Sequence, residues 1–362
     1  MTVPKETIWE LDPHTLAKHE ILRLYLQAWF PILNAFHQRV IYVDGFCGPG
    51  RYIGGEPGSP IIVLKLAATH IKALTGEIVF WFIDSHKDRI EYLKTELARL
   101  TLPSNFKVTA SHGEFDEKLR VLLNRIDEKN AQLAPTFIFI DPFGFSGVPY
   151  SLVRRALEKP HCEVLITFMV DSINRWIDHP EEKVRAHIPE IFGTEEVFKI
   201  DRNARNRIGL LRDLYQKQLE KAAKFVRHFE MRDRNNRIQY LLFFATNHRL
   251  GHIKIKEAMW AVDPEGDFRF SDATNPGQDV LFGIDQTELL WPILKKTFAG
   301  REVTTDQIRG FVEDKTAFLG THMKATLKEH ERPELSARER VQVRGVKADG
   351  KPRRKGTFPD GV

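Results

Sequence analysis

Four acidic residues stand where apolar runs of the chain stop. VIYVD closes on Asp44, FWFID on Asp84, FKVTA leads through SHG to Glu114, and TFIFID closes on Asp141. Each acid alone would be a solvated turn residue. At the ends of consecutive parallel strands they would share one edge of a sheet, the edge beyond which open α/β sheets bind ligands. Asp44 is followed at once by GFCGPG, so Gly45, Gly48 and Gly50 clear the first turn of side chains. A bare turn lets a nucleotide-like ligand approach the backbone and tolerates positive φ. A tight β–α turn without a ligand would use the same residues.

In a nucleotide reading, Asp84 accepts hydrogen bonds from ribose hydroxyls and Glu114 reads an adenine amine. The three glycines do not have the G-x-G-x-x-G offsets of a dinucleotide site, and no G-x-x-x-x-G-K-[ST] occurs. An acid inside the turn, with no basic cluster beside it, repels phosphates and suits a cation. S-adenosylmethionine, which carries a sulfonium and an ammonium, is the cofactor that fits. Methyl transfer from a sulfonium needs proximity, in-line orientation and removal of a proton, and no metal. His14, His19, His112 and His248 have no metal-ligand spacing, and no metal site is expected. Cys47 and Cys162 lie far apart and read as reduced thiols, which favours a cytoplasmic protein.

The elements that must hold these residues alternate. A helical pattern covers 16–36, a strand 40–44, a helix 59–73, a strand 77–84, then the helix KDRIEYLKTELARL, a strand around FKVTA, the helix EKLRVLLNRIDEK, a strand at 136–141, the helix YSLVRRALEK and a strand at 162–170. Such alternation implies right-handed βαβ units: an α/β fold with a doubly wound, Rossmann-like sheet. Asp12 or Thr15 caps the first helix, and Ser59 the second. The stretch of about 172–236 is charged and helical in pattern with no clear strand, an expected insertion over the sheet edge. Within it DRNARNR and RDRNNR form two basic clusters that would grip a phosphate backbone or serve as solvated helix ends. RIQYLLFFATN (237–247) reads as a strand, and AMWAVD (258–263) fits either type.

At 362 residues two domains are expected, 1–282 and 283–362. Apolar residues make up 42% and charged residues 28%, ordinary for a folded chain, with a net charge of +5. No stretch reaches the roughly 18 apolar residues that span a bilayer. The second domain reads as three helices, the middle one capped by Thr304 or Thr305, then two short strands around ADGKP, the order of a winged helix. Between Ser336 and Gly356 stand eight Lys or Arg and two acids. That wing, with Arg344, Lys351, Arg353 and Arg354, and the third helix, with His322, Lys324 and Lys328, are candidate nucleic-acid contacts. A basic wing also suits protein contacts.

DGFCGPGRY resembles the first motif of class I methyltransferases, and Asp84 and GEF at 113–115 resemble the second and third. HTLAKHEIL, YVDGFCGPGRYIGGEPGSP, FIDPFGFSGVP and KGTFP together resemble the three-Cys-motif partner family, over nearly the whole chain. That resemblance implies a methyltransferase-like fold and a partner, the three-Cys-motif, radical-SAM-like protein. It makes His14, Thr15 and Lys18 candidates for the cofactor's carboxylate, with Ser59 as a further cofactor contact. DPFG resembles the fourth motif of tRNA guanine-amine dimethyltransferases. It implies that Asp141 and a carbonyl oriented by Pro142 accept the hydrogens of an exocyclic amine while Phe143 stacks the base. An Asp-Pro that merely ends the strand, with Phe143 packed inward, fits the same letters. The leading expectation is therefore methyl transfer to a nucleic acid base; the alternative is a SAM-binding or degenerate subunit that binds nucleic acid or the partner without methylating.

Overall fold

In runs of β-branched and aromatic residues such as RVIYVD and EIVFWFID every position after Arg39 is buried or half-buried, as in a sheet covered on both faces. A computed structural model describes residues 6–142, 148–263, 269–271, 286–331, 342–344 and 355–357. In chain order its first unit holds α1 (Pro13–Asn34), β1 (Arg39–Asp44), α2 (Ser59–Ala68), β2 (Glu77–Asp84), α3 (Lys87–Ala98), β3 (Phe106–His112), α4 (Phe115–Glu128), β4 (Thr136–Ile140), α5 (Tyr150–Leu157) and β5 (Cys162–Phe168). It continues with α6 (Val170–Trp176), α7 (Glu182–Arg185), α8 (His187–Phe192), α9 (Arg207–Glu220), β6 (Phe225–Arg232), β7 (Ile238–Thr246), α10 (Arg249–Val262) and β8 (Arg269–Ser271).

Among the described residues these strands form one mixed sheet in the order β3-β2-β1-β4-β5-β7-β6-β8. β1 to β5 run parallel, β7 is antiparallel to β5 and β6, and β8 is parallel to β6. The order reverses between β1 and β4, which are neighbours in space although two βα units separate them in sequence. One face is packed by an aromatic group in which Tyr42 stacks on Phe137 at 6.0 Å and Tyr25 of α1 lies 5.3 Å from the same ring. The other face buries Val43, Ile83, Ile138 and Ile140 under Phe115, Leu119 and Leu123 of α4. Each fully buried side chain of this kind stabilises the fold by about 1.5–3 kcal/mol.

One expectation needs correction. The stretch read as largely helical with no clear strand ends in the strand β6, where Phe229 and Met231 alternate inward. Its other face is polar because α9 covers it: Arg212 pairs with Glu230 at 3.1 Å and the Gln216 amide meets the His228 ring at 3.0 Å. Charge on a strand face covered by a polar helix imitates a solvated helix in sequence. AMWAVD, which fitted either type in sequence, forms the C-terminal end of α10 up to Val262, and the helix's buried face holds Ile255, Ala258 and Met259.

The second unit contains α11 (Gln286–Phe298), β9 (Glu302–Thr304), α12 (Thr305–Lys315), α13 (Gly320–His330), β10 (Gln342–Arg344) and β11 (Lys355–Thr357). Its strands pair antiparallel in the order β10-β11-β9. Leu290, Leu294, Ile308, Val312 and Met323 are buried. Thr304 caps α12 in a reciprocal box, accepting from Gln307 N at 3.2 Å while its own N–H donates to Gln307 Oε1 at 2.8 Å. No helix of the described residues is long and apolar enough to cross a membrane.

Candidate active site

The point where strand order reverses is built from the ends of β1, β2 and β4. Gly45 N donates to Phe139 O of β4 at 2.9 Å and Cys47 N to Ile83 O of β2 at 2.9 Å, so the glycine turn is sewn to both neighbours. Gly48 and Gly50 take φ of +61° and +83°, the left-handed region that disfavours other residues. A Cβ on Gly48 would stand 3.2 Å from the Trp9 ring, and one on Gly50 would stand 2.6 Å from Leu93 Cδ1. The turn is therefore held bare by its own fold.

Asp44 is completely buried. Its Oδ2 accepts from Ser59 Oγ at 2.6 Å and from the Tyr42 hydroxyl at 3.4 Å, and its Oδ1 from Phe46 N at 3.3 Å. Burial pushes its carboxyl up to about 7, opposed by the Ser59 and Phe46 hydrogen bonds and aided by the charges of Asp141 and Asp84. Ser59 does not cap α2, whose N-cap is Gly58. It stands inside the helix and turns its hydroxyl to Asp44 instead. Asp84, also buried, accepts from Gly48 N at 3.0 Å with Oδ2 and from His86 N at 2.8 Å with Oδ1. It thus staples the glycine turn to the start of α3. Glu114 precedes α4 as its N-cap residue, exposed and without a side-chain cap bond.

Asp141 follows β4 directly. Its Oδ2 accepts from Lys18 Nζ of α1 at 2.5 Å, with both side chains largely buried. The Lys18 ammonium also lies 5.7 Å from the centre of the Tyr240 ring. Asp12, not Thr15, caps α1, accepting from Thr15 N at 2.8 Å. His14 bonds the Arg232 carbonyl through Nε2 at 2.7 Å, and His19 is pushed down to about 3 by burial first and then by Lys18. Pro142 is buried on the wall of a small apolar cleft with Ile140, Phe168, Met169 and Tyr215. Phe143 lies outside the described residues.

The site also contains residues that sequence patterns did not single out. Arg89, 2% exposed, has a guanidinium nitrogen 3.9 Å from Asp84 Oδ1 and its Cζ 4.9 Å from the centre of the Trp9 ring. Trp9 and Tyr52 meet edge to face at 6.0 Å, and burial drives the Tyr52 hydroxyl pKa upward, helped by Asp141. An arginine at a core position of α3, beside Ile90 and Leu93, was the available signal. Cys47 is buried and its thiol pushed up by burial, which removes the thiolate a nucleophile requires.

In the second unit Lys324 and Lys328 are exposed on α13, one turn apart. His322 faces back to its own helix start, its Nδ1 accepting from Leu319 N at 3.2 Å. Arg344 belongs to β10; Lys351, Arg353 and Arg354 lie outside the described residues.

No protein-family model matches the chain, and no curated protein does. Solved structures similar to it include Trm1 from Pyrococcus horikoshii in complex with S-adenosyl-L-methionine, at 14% identity and a TM-score of 0.36 over 69% of this chain and 60% of that one. Human methyltransferase-like protein 13 in complex with SAH aligns at 10% identity and a TM-score of 0.38, over 74% of this chain and 96% of that one. A putative rRNA methylase from Clostridium thermocellum aligns at 11% identity and a TM-score of 0.28, over 60% of this chain and 93% of that one. The chain thus spans less than two thirds of the length of Trm1.

Proposed function

We propose that this protein transfers a methyl group from S-adenosylmethionine to an exocyclic amine of a nucleic acid base. The observation that carries the reading is the meeting of Asp44, Asp84 and the left-handed glycine turn at the strand-order reversal, with Asp141 at the next strand end. Buried carboxylates around a bare turn fit a cation and disfavour a phosphate. When bound, the cofactor supplies an electrophilic methyl on a sulfonium.

The chain's own residues do the rest. The Gly45–Gly50 backbone receives the cofactor, Asp44 and Asp84 set a negative field beside it, and Glu114 reads its base. Lys18 holds Asp141 Oδ2, which leaves Oδ1 to accept a hydrogen of the acceptor amine and later its proton. The apolar wall beyond Pro142 receives the flat body of a base, with Phe143 stacking on it. A three-Cys-motif protein is the proposed partner, carried by the sequence resemblance.

The second unit is proposed as a winged helix within a domain at 283–362, following a methyltransferase-like domain at 1–282. Lys324, Lys328, Arg344, Lys351, Arg353 and Arg354 are its proposed phosphate contacts. Exposed Arg234 and Arg237 in the turn between β6 and β7 offer more of the same charge.

The test is calorimetric titration with S-adenosylmethionine and S-adenosylhomocysteine, then transfer of labelled methyl to total tRNA and genomic DNA. Binding at about micromolar Kd, lost in Asp44→Ala and Asp84→Ala, with transfer lost in Asp141→Ala, is expected. No binding by the wild-type protein overturns the reading. One observation favours the non-methylating subunit instead: the acid assigned to the acceptor amine already holds an ammonium of the chain itself. Cofactor binding with no product that depends on Asp141 would select it.

A further inference from the structure

The segment before α1 crosses the glycine turn. Ile53 N donates to the Trp9 carbonyl at 2.9 Å, and the Thr7 hydroxyl bonds the Asp88 carboxylate of α3, so the segment is held both to the loop after the turn and to that helix. Its indole reaches the turn itself: a Cβ on Gly48 would stand 3.2 Å from the Trp9 ring.

Tyr52 follows the turn by two residues. Its loop is closed by two backbone bonds, Tyr52 N to Glu56 O at 3.0 Å and Gly55 N to Tyr52 O at 2.9 Å. The phenol ring meets Trp9 edge to face at 6.0 Å and His19 of α1 at 6.1 Å, tilted by 46°. Three rings from three parts of the chain therefore stand in a row beside the turn. At one end Trp9 lies on Arg89, which approaches Asp84; at the other His19 follows Lys18, which holds Asp141. The row runs from the acid that ends β2 to the acid beyond β4, with the end of β1 and Asp44 between them.

These rings carry no charge of their own. Burial pushes His19 down to about 3, so it is neutral at ordinary pH. Burial first, then the charges of Asp141, Asp12 and Asp44, keep the Tyr52 hydroxyl protonated. An aromatic face attracts a cation, and Trp9 already does so with Arg89, whose Cζ is 4.9 Å from the ring centre. Tyr52 is the next ring along the row. Its attraction acts on a positive sulfur and not on a neutral sulfur of the same shape.

Resting on the S-adenosylmethionine reading above, we propose that Tyr52, positioned by Trp9, distinguishes the sulfonium of the cofactor from the neutral thioether of the product. Methyl transfer leaves the electrons of the broken bond on sulfur and cancels the charge that Tyr52 holds, which weakens the grip on the product and favours its release.

Calorimetry of the full-length protein compares S-adenosylmethionine, S-adenosylhomocysteine and sinefungin, whose amine puts a positive charge close to the sulfonium position. The two cations are expected to bind at least about tenfold more tightly than the thioether. Tyr52→Leu and Trp9→Leu bring that ratio to about two or less, while Tyr52→Phe, which keeps the ring, retains it. S-adenosylhomocysteine still binds to both leucine variants, which separates loss of the ratio from loss of the fold. A wild-type ratio near one, an unchanged ratio in either leucine variant, loss of the ratio in Tyr52→Phe, or loss of all three ligands in both leucine variants overturns the proposal and leaves the cofactor reading standing. Binding of none of the three by the wild-type protein overturns both.

Discussion

Asp44 shows how burial changes the titration of an ordinary aspartate. An aspartate in the unfolded chain ionises near 4, whereas here it is pushed up to about 7, chiefly by burial. Between those values the fold keeps a proton that the unfolded chain has released, so the contribution of Asp44 to stability falls as pH rises through that window. A cation placed beside Asp44 favours the ionised form and expels the proton. S-adenosylmethionine affinity should therefore rise with pH, by up to about tenfold per unit below pH 7, and level off above it. Calorimetry between about pH 5.5 and 8.5 checks this, and Asp44→Asn should flatten the dependence. Lys18 and Asp141 give the second test at this scale. Lys18→Met leaves a largely buried carboxylate without its cation and should cost about 3 kcal/mol in urea unfolding, with part regained in Lys18→Met/Asp141→Asn. Asp44, Asp84 and Asp141 were legible in the sequence because each ends an apolar run. Their partners were not: Lys18 and Asp141 are 123 positions apart, and Ser59 looks like a helix cap until the fold turns it toward Asp44.

Elements set the glycine turn's shape before any ligand does. Gly48 and Gly50 both adopt left-handed φ, but their surroundings differ: the nearest side-chain atom to an added Cβ is 3.2 Å away at Gly48 and 2.6 Å at Gly50. Gly48→Ala should cost about 1–2 kcal/mol from backbone strain, and Gly50→Ala more, because Leu93 is buried in α3 and must move as well. Urea unfolding of the two variants ranks them; equal losses would show that φ alone governs the turn. The parallel strands β1, β2, β4 and β5 were readable because cover on both faces makes continuous apolar runs. β6 was not, since its outward residues meet the charged face of α9 and read as solvent-facing. Periodicity reports what a strand packs against only when one face meets water.

For the whole molecule, alternation of strands and helices was enough to expect a doubly wound sheet, while the antiparallel β7 and the added β8 follow from packing that no local pattern encodes. Charge is where the two units differ in a testable way. Lys324 and Lys328 project from α13 into solvent, where neither has a structural role in the buried face formed by Met323, Thr326 and Leu327. Replacing both with glutamate should leave the unit folded. If they contact phosphates, each contributes about 0.9 to the slope of log affinity against log salt on duplex DNA, or about 0.7 on single strands. The double variant should then bind nucleic acid more weakly at every sequence and lose between about one and two from that slope. Fluorescence anisotropy of the full-length protein with labelled duplex DNA and tRNA, across a salt series, reads both quantities. An unchanged slope with methyl transfer intact would assign α13 to protein contact and leave the acceptor to be held by the first unit alone, where Arg234 and Arg237 are the next cations to replace.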